Sequence, residues 1–267
     1  MKILKNLKGF WLRAKSDKSR RQLLKVAPGE TNYTSDFKFA VKNPTAYYET
    51  SFREFHRSLP AELRKHRQYF QENQRGYGED AFHVMWWNLI RRFKPQNFLE
   101  IGIYRGQTIS LVSLITKMEG ISCEVHGISP FSSVGDSVSD YLRGIDYLED
   151  TLKNFHHFSL PSPELLKAYS TDDEAVNLIR SRSWDIIYID GNHDYEIVKA
   201  DWAVCSEAVE TGGLIVLDDS GLTTGYRPPA FATGGHPGPS RLASEIDASR
   251  FEEILQVGHN RVFQKQA

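Results

Sequence analysis

The chain has 267 residues, 40% hydrophobic and 12% aromatic, which suffices for a sizeable core and fits one α/β domain with an N-terminal extension. No run of 18 apolar residues occurs and lysines interrupt the basic start, so neither a membrane span nor a signal peptide is expected; a cytoplasmic setting is, with Cys123 and Cys205 as free thiols. A net charge of −1 argues against a nucleic-acid partner, but residues 1–25 carry nine Lys or Arg against one acid, Asp17, and the remainder 24 basic against 33 acidic residues.

In chain order, residues 1–25 read as a helix with Ile3, Leu7, Phe10 and Trp11 on one side and lysines on the other. Residues 26–58 are mixed, rich in Tyr, Phe and Thr, and broken by Pro28, Gly29 and Pro44, so no element is assigned there. A helix is expected over 60–73, with Pro60 near its start. Another is expected over 77–93, where Phe82, Met85, Trp86, Leu89 and Ile90 fall at core spacing. From residue 97 the pattern becomes regular. Strands are expected at 97–101, 123–128, 164–169, 185–190 and 212–218, separated by helices at 106–118, 138–153, 172–182 and 195–209. This alternation predicts βαβ units, a parallel sheet and right-handed crossovers. A Gly/Pro-rich stretch at 221–239 precedes a helix at 239–246. The segments 251–257 and 261–265, split by Gly-His-Asn, form a closing antiparallel hairpin.

Open α/β sheets bind ligands at the carboxyl ends of their strands. The first strand ends in Leu-Glu-Ile-Gly-Ile-Tyr-Arg-Gly-Gln-Thr, where Gly102 and Gly106 bracket a turn into a helix whose free N–H groups suit an anion. The spacing is neither Gly-x-Gly-x-x-Gly nor a Walker loop. The fourth strand ends at Asp190, followed by Gly191, Asn192, His193 and Asp194. The fifth ends at Asp218 and Asp219. If these strands are neighbours, their ends lie ~5 Å apart and three carboxylates converge. Unpaired, they would repel and partly protonate. A hard divalent cation such as Mg2+, bound by Asp190, Asp218 and Asp219, removes that penalty.

The stretch from Phe98 to Thr108 resembles motif I of class I S-adenosylmethionine (SAM)-dependent methyltransferases, and is especially similar to the catechol O-methyltransferase type. The resemblance implies a Rossmann-like fold, with residues 1–75 as a helical extension and 76–267 as the methyltransferase domain. It implies that Gly102, Tyr104 and Gly106 shape the methionine end of SAM, that Thr108 meets its carboxylate, and that Glu100 organises its ammonium. Gly-Tyr-Gly-Glu-Asp-Ala-Phe at 76–82 resembles the turn preceding motif I, with Gly78 and Glu79 closing over the same end. One departure stands out. The second strand of these enzymes ends in an acid for the ribose hydroxyls, and here Ser129 stands there, with Asp136 as a substitute. Ser170 and Asp172 are placed at the adenine or read as a helix N-cap. The Asp-x-x-His and Asp-Asp pair is similar to the macrolide-sugar O-methyltransferases and the cephalosporin-hydroxylase-like proteins.

The implied activity is Mg2+-dependent O-methylation of a sugar, glycan or polyhydroxylated metabolite. His193 is the expected base, since its ordinary pKa of ~6.5 suits proton removal near neutrality. His236 is a weaker substrate contact, and His156 and His157 are read as surface or structural. The alternatives are a phenolic or lipid-linked acceptor on the same fold, or a SAM-binding scaffold without turnover. The basic segment 1–25 reads either as a helix lying on the inner membrane surface or as a packing element within the chain or a homo-oligomer.

Overall fold

The computed structural model describes residues 2–26, 36–133 and 141–267, with side chains from residue 13 onward. The predicted seven-stranded sheet is present. Its strands are β1 (Asn97–Ile101), β2 (Glu124–Ser129), β3 (Glu164–Lys167), β4 (Trp184–Ile189), β5 (Val209–Leu217), β6 (Phe251–Val257) and β7 (Asn260–Lys265). Their order is β3-β2-β1-β4-β5-β7-β6. Strands β1 to β5 run parallel, and β7 enters antiparallel between β5 and β6. The chain reverses direction across the sheet between β1 and β4, and that switch point opens a crevice at their carboxyl ends.

Side chains alternate across the pleat. Phe98, Ile186, Tyr188, Leu214 and Val216 face one core, and Leu99, Ile101, Ile187, Ile189, Ile215 and Leu217 face the other. The first core is covered by α3 (Pro44–Arg57), α5 (Asp80–Phe93), α6 (Gln107–Glu119) and α7 (Tyr147–His157). The second is covered by α8 (Asp173–Arg180), α9 (Tyr195–Ala208) and α10 (Pro237–Glu245). Both faces of a parallel sheet are thereby buried, as its near-continuous apolar strands require.

The segment 26–58 differs from its reading. It contains α2 (Phe37–Lys42) and the fourteen-residue α3. Tyr47, Tyr48, Ser51, Phe52 and Phe55 lie on one helical face and are buried in the same core as the sheet. Aromatic residues carry strand propensity, and that masked a helical period. The helix expected at 138–153 instead begins at Tyr147. Asp146 is its N-cap, accepting from Glu149 N at 2.9 Å, and the helix runs on to His157. The expected helices at 60–73 and 77–93 appear as α4 (Ala61–Gln71), followed by a short 3-10 turn, and α5.

The first helix, α1 (Lys2–Lys25), is docked through its second half. Leu23 and Leu24 pack on the core, Arg57 donates to Leu24 O at 3.1 Å, and Arg20 reaches Asp80 at 3.3 Å. The Ile3, Leu7, Phe10 and Trp11 side chains and Asp136 lie outside the described residues. Among the described residues, no helix is long and apolar enough to cross a membrane.

Candidate active site

A cavity of about 610 Å³ opens at the carboxyl ends of β1 and β4. Its floor is the turn after β1. Gly102 has φ +93°, and a Cβ there would lie 2.0 Å from Asp190 O, so only glycine lets the two loops approach. Gly106 caps α6, and Gly102, Tyr104 and Thr108 line the cavity. Glu100 is 3% exposed. Burial pushes its carboxyl well above the ordinary range, against a hydrogen bond from Ile109 N–H, and nearby Asp218 adds to the rise. Its Oε2 has no partner among the described residues. A buried carboxylate oxygen left open beside a cavity is suited to a cationic ligand group.

Gly78 also lines the cavity, its N–H donating to Gln107 Oε1 at 3.0 Å. Glu79 points elsewhere. Its carboxylate accepts from the Tyr48 hydroxyl and from Thr233 N, tying α3 to the loop after β5, and Glu79 does not line the cavity. Ser129 lines it, but its hydroxyl donates to Ile103 O at 3.0 Å. Ser170 lines it beside Tyr169 and sits near buried Asp201, while Asp172 stays outside, accepting from Tyr169 N at 2.9 Å. Asp172 is the N-cap residue of α8 but makes no side-chain cap bond. His156 lies in the last turn of α7, and His157, which ends it, stacks on Tyr69 at 4.1 Å, away from the cavity.

The acidic edge forms because β4 and β5 are parallel neighbours with Ile189 opposite Leu217. Asp190 and Asp218 follow directly and bond to each other through their side chains. Burial, then the charge of Asp218, pushes Asp190 well above the ordinary range. Asp218 moves the other way: burial alone would raise it, but the charge and hydrogen bond of His259 outweigh that.

The sequence reading gathers Asp190, Asp218 and Asp219 around one cation. The structure groups them differently. Among the described residues, two sets bring donor atoms within 4.8 Å of one another: Asp218, Asp219 and His259, and His193, Asp219 and His236. Asp219 belongs to both. Its Oδ2 lies 2.7 Å from His193 Nε2 and 3.9 Å from His236 Nε2, and its Oδ1 lies 3.8 Å from His259 Nε2. Asp219 holds a left-handed φ of +51°, which Asp tolerates better than most residues. Gly235 makes room for it, since a Cβ there would lie 2.3 Å from Asp219 O.

His259 has no role in the sequence reading. It sits in the β6–β7 turn, is 5% exposed, and points Nε2 at Asp218 Oδ1 from 3.3 Å. Burial would lower its pKa, but Asp218 and Asp219 outweigh burial and raise it to about 10. The loop at 221–236 is held in place at this edge. Thr233 O faces His259 Nδ1 at 3.2 Å, His236 N donates to Asp219 O at 2.8 Å, and Phe231 packs on Phe52 at 4.9 Å.

Residues 99–220 match the family described as a methyltransferase domain. A protein of Acanthamoeba polyphaga mimivirus, R132, described as uncharacterized, is 25% identical over 176 residues, covering 64% of this chain and 70% of that protein. Among solved structures, the S-adenosylhomocysteine-bound methyltransferase PaMTH1 of Podospora anserina superimposes with a TM-score of 0.55 at 13% identity, over 91% of this chain and 99% of that one. An O-methyltransferase from Bacillus cereus, also with S-adenosylhomocysteine, gives 0.53 at 14% identity, over 84% and 100%. At such identities the structural likeness is one of fold.

Proposed function

We propose that this enzyme, whose chain carries a class I methyltransferase domain, moves the methyl group of SAM onto a hydroxyl oxygen, helped by a divalent cation. The observation that carries this reading is Asp219, one oxygen of which faces Asp218 and His259 while the other bonds His193, beside the cavity that ends at Glu100. When bound, SAM supplies an electrophilic methyl group, and the cation lowers the pKa of an acceptor hydroxyl.

The residues present fit both groups. Gly102 and Gly78 let the backbone approach the methionine end of SAM. Thr108 and the N-terminus of α6 would hold its carboxylate, and the open oxygen of Glu100 would hold its ammonium. Tyr104 lines the same end. Ser129 and Ser170 would stand at the ribose and adenine sides. Asp218 and Asp219 would hold the cation, with Asp190 backing Asp218 through their hydrogen bond. Carboxylate oxygens of this kind suit a hard divalent cation.

His193 takes the acceptor proton. Asp219 Oδ2 orients its ring and stabilises the positive charge that develops on it, as a carboxylate does for a catalytic histidine. His236 lies beside it, with ring centroids 4.2 Å apart, and contacts the acceptor. The rest of the rate comes from holding the oxygen in line with the methyl group.

A sugar, glycan or other polyhydroxylated molecule is the acceptor class we favour. A SAM-binding scaffold is a second reading, because the Ser129 hydroxyl is committed to Ile103 O. The test is transfer of labelled methyl from SAM to a panel of nucleotide sugars, glycans and phenols, with and without chelator. Transfer that survives excess chelator overturns the cation's role, and binding of SAM without transfer to any hydroxyl favours the scaffold. The described half of α1 exposes Arg13, Lys15, Lys18, Arg21 and Lys25. That basic face supports contact with an anionic membrane surface, where a lipid-linked acceptor would reside.

A further inference from the structure

We infer that His259 lends an imidazole nitrogen to the cation site, and that the site therefore takes a first-row transition ion such as Mn2+, Fe2+ or Co2+ in preference to Mg2+. This rests on the cation-assisted reading above and names the ion's chemical class.

The argument starts from the ring's orientation. Nδ1 of His259 lies 3.2 Å from the backbone carbonyl of Thr233. A carbonyl oxygen only accepts, so Nδ1 carries the hydrogen. Nε2 is thereby the atom left for a cation, which would displace the proton that the two carboxylates favour there, and it faces Asp218 Oδ1 at 3.3 Å and Asp219 Oδ1 at 3.8 Å. A histidine that donates its far N–H to a backbone carbonyl while presenting the other nitrogen to carboxylates has the arrangement that fixes a metal-binding imidazole. The ring has little freedom to turn away. It is 5% exposed, its centroid is 4.8 Å from that of Phe82, and its own carbonyl accepts from Ser220 N at 2.9 Å.

Asp219 divides its labour in the same direction. With Oδ2 engaged by His193 at 2.7 Å, Oδ1 is the oxygen left for a cation, and it is the oxygen on the His259 side. One donor atom from each of Asp218, Asp219 and His259 lies within 4.8 Å of the others, a span that closes around a single ion. Two carboxylate oxygens and one imidazole nitrogen make a mixed donor set. Mg2+ demands oxygen donors and near-octahedral geometry, whereas imidazole shifts preference toward borderline transition ions.

The experiment uses the full chain loaded with Mn2+. Binding is followed by loss of the free-ion electron paramagnetic resonance signal, and the donor atoms by pulsed measurement of 14N coupling to the bound ion. We expect 14N coupling in the wild type and in the double variant His193→Ala/His236→Ala, which leaves His259 as the imidazole at the site. His259→Ala, its fold checked by circular dichroism, should lose the coupling and bind Mn2+ at least ~10-fold more weakly. Mg2+ should displace Mn2+ only in large excess. Bound Mn2+ without 14N coupling in the wild type or the double variant, or tight binding that persists in folded His259→Ala, overturns this inference and leaves the cation reading standing. A wild-type chain that binds no Mn2+ overturns both.

Discussion

Replacing Asp201 by Asn should stabilise the protein relative to wild type more at pH 8 than at pH 5. Asp201 lies on α9 beneath the loop that carries His193, and it is 2% exposed. Neither of its oxygens completes a hydrogen bond among the described residues. Burial raises its carboxyl from an ordinary 3.8 to about 6, and the Ser170 side chain offsets only part of the rise. The native state thus keeps a proton that the unfolded chain has lost between pH 3.8 and about 6, so stability falls as pH rises through that window and is level above it. Two pH units at ~1.4 kcal/mol each make the full penalty about 3 kcal/mol, of which roughly half is already present at pH 5. An amide is the same shape and does not ionise. Its own burial costs are independent of pH, so they cancel when the variant's advantage is compared between the two conditions. Urea denaturation of both proteins at pH 5 and pH 8 should show that advantage growing by about 1.5 kcal/mol, roughly tenfold in the folding equilibrium. An advantage that is constant or shrinks with pH would refute the assignment of an ionised, uncompensated carboxylate.

Other consequences are open to measurement. His193→Ala should lower turnover at neutral pH by about 10²- to 10⁴-fold while calorimetry finds SAM affinity unchanged; a large loss of SAM binding would make His193 structural. Glu100→Gln removes a charge-assisted contact worth about 1.5–3 kcal/mol, so the Kd for SAM should rise by roughly 10- to 100-fold, and an unchanged Kd would place the ammonium elsewhere. Gly235→Ala forces a Cβ against Asp219 O at a φ of +99° and should cost about 1–3 kcal/mol in urea denaturation, whereas a neutral change would contradict the close approach. The full chain should float with anionic vesicles at low salt and be released at high salt, while a chain beginning at residue 26 stays at the bottom; if both stay at the bottom, α1 is a packing or oligomerisation element.

What was legible in the sequence follows from which interactions are local. Strands β1 to β5 were found because a parallel sheet buries both faces and leaves unbroken apolar runs such as Ile186–Ile189. Gly102 was legible because a tight strand-to-helix turn leaves its mark in adjacent residues. The helix α3 was missed because its buried stripe of Tyr47, Tyr48, Phe52 and Phe55 is built from residues that also favour strands. Glu79 was misdirected for another reason. The turn it closes does face the cavity through Gly78, but its own side chain finds Tyr48 and Thr233, which lie 31 and 154 residues away. No local pattern encodes such a contact.

His259 lies between these cases. Its neighbours Gly258 and Asn260 look like ordinary hairpin punctuation, and a turn histidine is unremarkable by composition. Its meaning comes from the order of strands. Strand β7 runs antiparallel beside β5 with Arg261 opposite Leu217. Counting outward along that register sets residue 260 against 218 and residue 259 against 219. A residue just before an antiparallel strand is therefore delivered to the carboxyl edge of the parallel sheet, where Asp218 and Asp219 already stand. The recognised hairpin, together with its place next to β5, was enough to point to this position. The same register explains why two of the histidines around Asp219 arrive by different routes, His193 on the loop that leaves β4 and His259 on the turn that enters β7. Each meets a different oxygen of Asp219. Changing the Asp218–Asp219 pair by one residue in register would break both contacts at once.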